Sequence, residues 1–157
     1  MPRRYWSQIE KISRQHGLNP ELVYAICVKE SSLDTWAMRY EPSWRWFLNP
    51  VKWARRVLVT SKTERIAQQC SWGLMQIMGT VARERGFEGD LPNLCQPEVG
   101  LEFGCRHLVY LTKRFNGAPD VLAAYNAGSP KSEAGRRYAS DVIQIMGREF
   151  FKEGQKT

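Results

Sequence analysis

Glu30 is the residue of this 157-residue chain best placed for acid–base chemistry. It stands four positions after Ile26 and seven after Val23, the return spacing of an α-helix. It therefore sits at the edge of an apolar stripe, at the C-terminal end of the helix that the stripe implies. Partial desolvation and the negative end of the helix dipole both favour the protonated carboxyl. A carboxylic acid kept neutral near physiological pH is what protonation of a leaving oxygen, such as a glycosidic one, requires. An ordinary helix-end glutamate paired with Lys29 or a nearby arginine fits the same position.

Other reactive side chains narrow the chemistry. Cys27, Cys70, Cys95 and Cys105 form no CxxC, and none stands at zinc-finger spacing from His16 or His107. Reduced, buried thiols are expected, Cys27 lying among Val23, Ile26 and Val28. With two histidines and no HExxH, neither a metal nor a cofactor is expected. The net charge of +7, from 23 basic and 16 acidic residues, suits a polyanionic partner: nucleic acid, an anionic membrane surface or a wall polymer. Arg55-Arg56 and Arg136-Arg137 are only short basic pairs and do not form a base-reading helix face, so nucleic acid is not expected.

The elements that must position Glu30 read as helices. Trp6, Ile9 and Ile12 recur at three-residue spacing and Gly17 stops them. Asn19-Pro20 is an N-cap followed by proline at the first helical position, opening the helix of Leu22, Val23, Ile26 and Cys27. Asn49-Pro50 repeats the signal before Trp53, Val57 and Leu58. Ser61-Lys62-Thr63-Glu64 fits a capping box. Thr80 is expected to cap a short helix ending at Gly86. Pro97 opens a long helix ended by Gly117, Pro119 starts another through Tyr125, and the last carries Tyr138, Val142, Ile145 and Met146. With no hairpin dipeptide between alternating strands and no βαβ rhythm, the fold class is all-α or nearly so. The length suits one domain, 1–157. At 43% hydrophobic and 25% charged, the chain is neither disordered nor membrane-spanning. Arg3, Arg4, Glu10, Lys11 and Arg14 break up the first residues, which lack the apolar middle of a secretory signal. Synthesis in the cytoplasm is expected.

Three segments then carry a resemblance. Glu30-Ser31, Ser71-Trp72-Gly73-Leu74-Met75-Gln76-Ile77-Met78 and Ala124-Tyr125-Asn126-Ala127-Gly128, in this order, resemble the motifs of the soluble lytic transglycosylase catalytic domain. That lysozyme-like domain cleaves peptidoglycan. The approach segment from His16 to Val23 and the trailing Tyr138 are similar too, so the likeness runs from about Ile9 to Met146. The resemblance implies one glutamate, Glu30, acting as acid and then base on the bond between N-acetylmuramic acid and N-acetylglucosamine. The muramic C6 hydroxyl closes a 1,6-anhydro ring, and no second catalytic carboxylate is needed. Ser31, Ser71, Gly73, Leu74, Met75, Gln76, Tyr125, Asn126 and Tyr138 are then candidate substrate-binding residues. Met75 would pack on a sugar face, Gln76 would offer a donor and an acceptor, and the Tyr125 hydroxyl would face Glu30 or the substrate. Gly73 and Leu74 equally suit a turn and the core, and Asn126 and Gly128 a helix C-cap.

One departure stands out. Between Glu30 and Gly73 lie 42 residues, more than in the typical bacterial domain. Residues 34–62 form the extra segment and hold Trp36, Trp44, Trp46 and Trp53. Its Trp36–Pro42 sequence resembles a variant found in phage and prophage wall-degrading proteins. The tryptophans suit either stacking on sugar rings or a small satellite core. Asp34, Glu41 and Glu64 add carboxylates that would turn the reaction into lysozyme-type hydrolysis if one positioned a water. Asp34 is one helical turn past Glu30, too close for the roughly 6.5–9.5 Å of an inverting pair. The expected function is therefore a monomeric, phage-derived lytic transglycosylase, released at lysis or carried on the virion. The alternatives are a hydrolytic muramidase, a basic nucleic-acid-binding module and a non-catalytic phage structural protein.

Overall fold

A computed structural model describes residues 3–151. Among them eight α-helices surround one small antiparallel sheet. They are α1 (Trp6–Gln15), α2 (Pro20–Ser31), α3 (Pro50–Val57), α4 (Ser61–Gln68), α5 (Gly79–Glu84), α6 (Pro97–Thr112), α7 (Ala118–Ala127) and α8 (Glu133–Met146). A 3₁₀ turn, Leu91–Cys95, precedes α6, and a π-helical turn, Gly147–Phe151, follows α8. The architecture is the mainly α class read from the sequence.

The helix starts follow local chemistry. Asn19 accepts from the Glu21 N–H and Asn49 from the Lys52 N–H, each with proline in the first turn. Ser132 caps α8 through the Gly135 N–H. Two expected caps differ. Thr60, not Ser61, caps α4 by accepting from the Thr63 N–H. Glu64 is thereby one position too late to return to the cap, and it turns inward instead. Thr80 lies inside α5, where its hydroxyl is bound to the Trp46 and Gln68 carbonyls.

The sheet is the element that sequence pattern does not announce. Strands β1 (Met38–Tyr40), β2 (Cys70–Trp72) and β3 (Ile77–Met78) pair antiparallel in the order β1-β2-β3. Met38 faces Trp72, and Trp72 faces Ile77. Strands of two or three residues are too short to show an alternation of two.

Two apolar clusters sit beneath these elements. The larger joins Ile9, Val23, Ile26, Leu101, Leu108, Leu122 and Val142 from α1, α2, α6, α7 and α8. The smaller joins Trp72, Ile77, Ala82, Phe87, Leu91 and Leu94 around the sheet and α5. All four cysteines are buried and unpaired. Met75 fills the notch over Gly104, where an added Cβ would lie 2.3 Å from its sulfur. No described helix is long and apolar enough to cross a membrane.

Candidate active site

Glu30 lies in the last turn of α2, half-buried, and its carboxylate faces α8. The Tyr138 hydroxyl donates a 2.6 Å hydrogen bond to Glu30 Oε1. Burial raises the Glu30 pKa above the ordinary carboxylate value, while the Tyr138 bond and the charges of Arg39 and Lys29 act against that rise. Lys29 is not the partner of Glu30: its ammonium reaches Asp141 on α8 at 2.7 Å. Burial and the Glu30 charge push the Tyr138 hydroxyl well above the usual phenol range, so it remains a donor.

A cavity of about 270 Å³ opens in front of this pair. Glu30, Arg39, Glu41, Ser71, Gln76 and Tyr125 are among its lining residues. Arg39, on the exposed strand β1, and Glu41, just after it, pair with each other at 2.6 Å. The cavity thus holds two carboxylates, one half-buried and bound by a phenol, the other ion-paired.

The loop after β2 forms the floor, and it is held by hydroxyls from two helices. Ser31 Oγ bonds the Leu74 carbonyl at 2.9 Å, and the Tyr125 hydroxyl donates to the Met75 carbonyl at 2.6 Å. Gln76 has a left-handed backbone, with φ +47°, and braces the same loop. Its Nε2 donates to the Ala37 and Gly73 carbonyls, and its Oε1 accepts from Ser71 Oγ at 2.9 Å. Gly73 also has a positive φ of +71°, and a Cβ there would meet the Leu94 carbonyl oxygen at 2.3 Å. The close approach that requires glycine is to the chain's own 3₁₀ turn.

The candidate residues therefore divide. Tyr138 reaches Glu30 directly, and Ser71, Gln76, Tyr125 and Asn126 line the cavity with it. Met75 and Leu74 are 0% and 1% exposed, so Met75 cannot lie against a sugar; it is core. The Tyr125 hydroxyl donates its hydrogen bond to the Met75 carbonyl, and burial together with the nearby Glu30 charge raises its pKa. Ser31 binds backbone carbonyls of Cys27 and Leu74. Gln76 directs its amide inward, so the expectation that it serves substrate with both groups is corrected.

The added carboxylates separate in the same way. Asp34 caps the Trp36 N–H on the surface. Glu64 is buried in a two-point ion pair with Arg83. Glu41 alone of the three lines the cavity. Of the tryptophans in segment 34–62, Trp53 is buried under the Arg83 guanidinium and Trp44 is half-buried at the cavity wall. Trp36 and Trp46 are 74% and 59% exposed. Arg39 is the residue that composition did not single out; the spacing of Met38–Tyr40 gives no hint that β1 carries it to Glu30.

Comparison with known proteins identifies the family and the fold. The Transglycosylase SLT domain family matches residues 7–144. No curated protein sequence matches the chain. Among solved structures, an inactive Glu-to-Gln mutant of the lytic transglycosylase Slt from Pseudomonas aeruginosa superposes with a TM-score of 0.70 at 18% identity. The match covers 99% of this chain and 25% of that one, so the chain spans a quarter of that relative's length.

Proposed function

The chain belongs to the Transglycosylase SLT domain family, and on that premise we propose that it is a peptidoglycan lytic transglycosylase with Glu30 as its single acid and base. The observation that carries this reading is the Glu30 carboxyl, raised in pKa by burial and held at 2.6 Å by a phenol that does not ionise. The protonated Glu30 gives its proton to the glycosidic oxygen between N-acetylmuramic acid and N-acetylglucosamine, and the C1–O bond breaks. The carboxylate that results keeps the Tyr138 hydrogen bond and faces the developing positive charge on C1. It then takes the proton of the muramic C6 hydroxyl as that oxygen bonds to C1. The 1,6-anhydro ring closes, Glu30 is protonated again and no water is consumed. In the Slt relative, one Glu-to-Gln exchange yields an inactive protein, which supports an essential glutamate in this fold.

A second reading is favoured by one observation. Glu41 lines the cavity that Glu30 lines, and released from Arg39 it would direct a water onto C1, giving hydrolysis. A phage or prophage setting, with the enzyme degrading a host wall at lysis or during delivery of phage DNA, is also part of the proposal. It rests on the Trp36–Pro42 sequence alone.

Mass spectrometry of muropeptides released from purified sacculi tests the reaction. Anhydro-muramic products are expected, and free reducing ends would replace the transglycosylase reading with the hydrolytic one. Glu30→Gln is expected to lower release about 10²–10⁴-fold with its melting temperature retained. A variant as fast as the parent would remove Glu30 from the mechanism.

A further inference from the structure

Helices α3 and α4 pack on each other as a hairpin, and every residue from 58 to 63, at its tip, is exposed. The base of the hairpin is fixed. Trp53 and Ala54 are buried, the Gln68 side chain exchanges two hydrogen bonds with the Leu48 backbone, and Glu64 is held by Arg83. The tip is built against the interest of the fold. Leu58 ends α3 in the left-handed region, at φ +58°, and the Val59 N–H closes the turn onto the Ala54 carbonyl at 3.0 Å. Glycine is the usual residue at such a closure, because a Cβ strains this conformation. The Leu58 side chain gains nothing by packing, since it is 90% exposed. Val51, Val59 and Ile66 are exposed as well.

Cations are interleaved with these apolar side chains. Val51, Arg55 and Leu58 follow one another at helical spacing along α3, as Lys62, Arg65 and Ile66 do on α4. Residues 50–68 hold five basic side chains, Lys52, Arg55, Arg56, Lys62 and Arg65, and one acidic one, the buried Glu64. The hairpin therefore carries more than half of the net charge of +7. Of the five cations only Arg56 has a carboxylate partner among the described residues, Glu88. Arg65 rests on the Phe47 ring, 4.1 Å from its centroid, which leaves its N–H edge free.

The occupant of this surface must offer an apolar phase and negative charge side by side. A soluble polyanion meets the cations but gives Leu58 and Val59 nowhere to go. A bilayer interface supplies both, phosphates in the headgroup layer and the acyl boundary beneath them. We infer that the α3–α4 hairpin docks on an anionic lipid bilayer, with Leu58 and Val59 entering the interface and Arg55, Lys62 and Arg65 meeting lipid phosphates. None of these residues lines the Glu30 cavity, so docking is independent of the chemistry there. On the proposed function, a chain held in this way works on wall that lies beside a membrane.

Flotation of the full chain with vesicles of phosphatidylcholine alone, and with about 30% phosphatidylglycerol added, tests the docking. The parent is expected to bind the anionic vesicles at least about tenfold more tightly than the neutral ones. Arg55→Gln/Lys62→Gln should weaken that binding about tenfold or more. Leu58→Gly should also weaken it, about tenfold, through the lost apolar contact. Its melting temperature should be kept or raised, because glycine suits the left-handed backbone, and it should digest lipid-free sacculi like the parent. Equal binding to both kinds of vesicle, or anionic-vesicle binding unmoved in Leu58→Gly or in the double glutamine variant, overturns the proposal. So does an absence of vesicle binding. A parent that then binds polyglycerol phosphate or DNA assigns the hairpin to a soluble polyanion, and a dimer abolished by Leu58→Gly in sedimentation assigns it to a second copy.

Discussion

Glu64 tests the assignment of carboxylates most sharply, because it is a buried acid close in sequence to the cavity floor yet plays no part in the proposed reaction. Its side chain is 2% exposed and that of Arg83 0%. Arg83 Nε and Nη2 reach the two Glu64 oxygens at 2.9 and 3.0 Å, a paired fork geometry. Gln68 Nε2 adds a third hydrogen bond to Glu64 at 2.9 Å. The remaining Arg83 nitrogen donates to the Phe87 and Gly89 carbonyls, tying α4 to the end of α5. Glu64→Gln keeps the shape but strands a guanidinium in the interior. The cost of breaking a buried pair from one side is about 3–5 kcal/mol. For a chain of this length each kcal/mol moves the midpoint about 2–4 °C, so melting should fall by roughly 6–20 °C. Glu64→Met/Arg83→Met removes both charges and should lie well above the sum of the single losses, though two carbonyls lose their donor. Thermal melting of the parent, Glu64→Met, Arg83→Met and the double variant gives the cycle, and sacculus digestion of Glu64→Gln at low temperature gives turnover per folded molecule. Turnover and anhydro product should persist in Glu64→Gln. A Glu64→Gln protein that melts like the parent, or that is folded but inactive or switched in product, refutes this account.

Three other outcomes follow from the geometry. Activity should fall as pH rises through the Glu30 pKa, because the reaction begins with the protonated acid; Tyr138→Phe removes a bond that favours the ionised form, so this alkaline limb should move to higher pH, and an unmoved or lowered limb in a pH–rate profile would refute the role of Tyr138. Gly73→Ala should destabilise by at least about 2 kcal/mol in urea unfolding, from its positive φ and the Leu94 carbonyl at 2.3 Å, and a neutral effect would show that the loop is not held as described. Retention of Glu30→Gln protein on sacculi should weaken as salt rises from about 0.05 to 0.5 M, since the net charge of +7 acts through screened attraction; salt-independent retention in a pull-down would assign wall binding to the cleft alone.

Most helices were legible because their ends are written in local chemistry. Asn19-Pro20 and Asn49-Pro50 cap and open α2 and α3 where the residues alone place them. At Ser61 and Thr80 the structure departs from local chemistry for one reason: a side chain that can cap is claimed by a tertiary partner or displaced by a neighbour. Thr60 takes the α4 cap and frees Glu64 for Arg83, and Thr80 is held by carbonyls of Trp46 and Gln68. The sheet was not legible because its strands are shorter than the period that would reveal them. Arg39 is invisible for the same reason: the pairing of Arg39 with Ser71 across β1 and β2 places it at the Glu30 cavity.

The candidate site shows a different limit. Ser31, Met75, Gln76 and Tyr125 read as substrate contacts because they accompany the glutamate in a motif. In space they meet on one loop: Ser31 holds the Leu74 carbonyl, Tyr125 the Met75 carbonyl, and Gln76 spans from Ser71 to Ala37. These bonds connect the end of α2, which carries Glu30, to α7 and the sheet. A catalytic carboxyl works within tenths of an ångström, and its helix end is the part of α2 most free to fray. Fixing that end from the loop side, while Tyr138 fixes the carboxylate from the α8 side, is what a one-carboxylate mechanism needs, since the same oxygens must face first a glycosidic oxygen and then a C6 hydroxyl. On the proposed reading of Glu30 as the acid, Ser31, Gln76 and Tyr125 position its helix end through this loop, while Gln76 and Tyr125 also line the cavity itself.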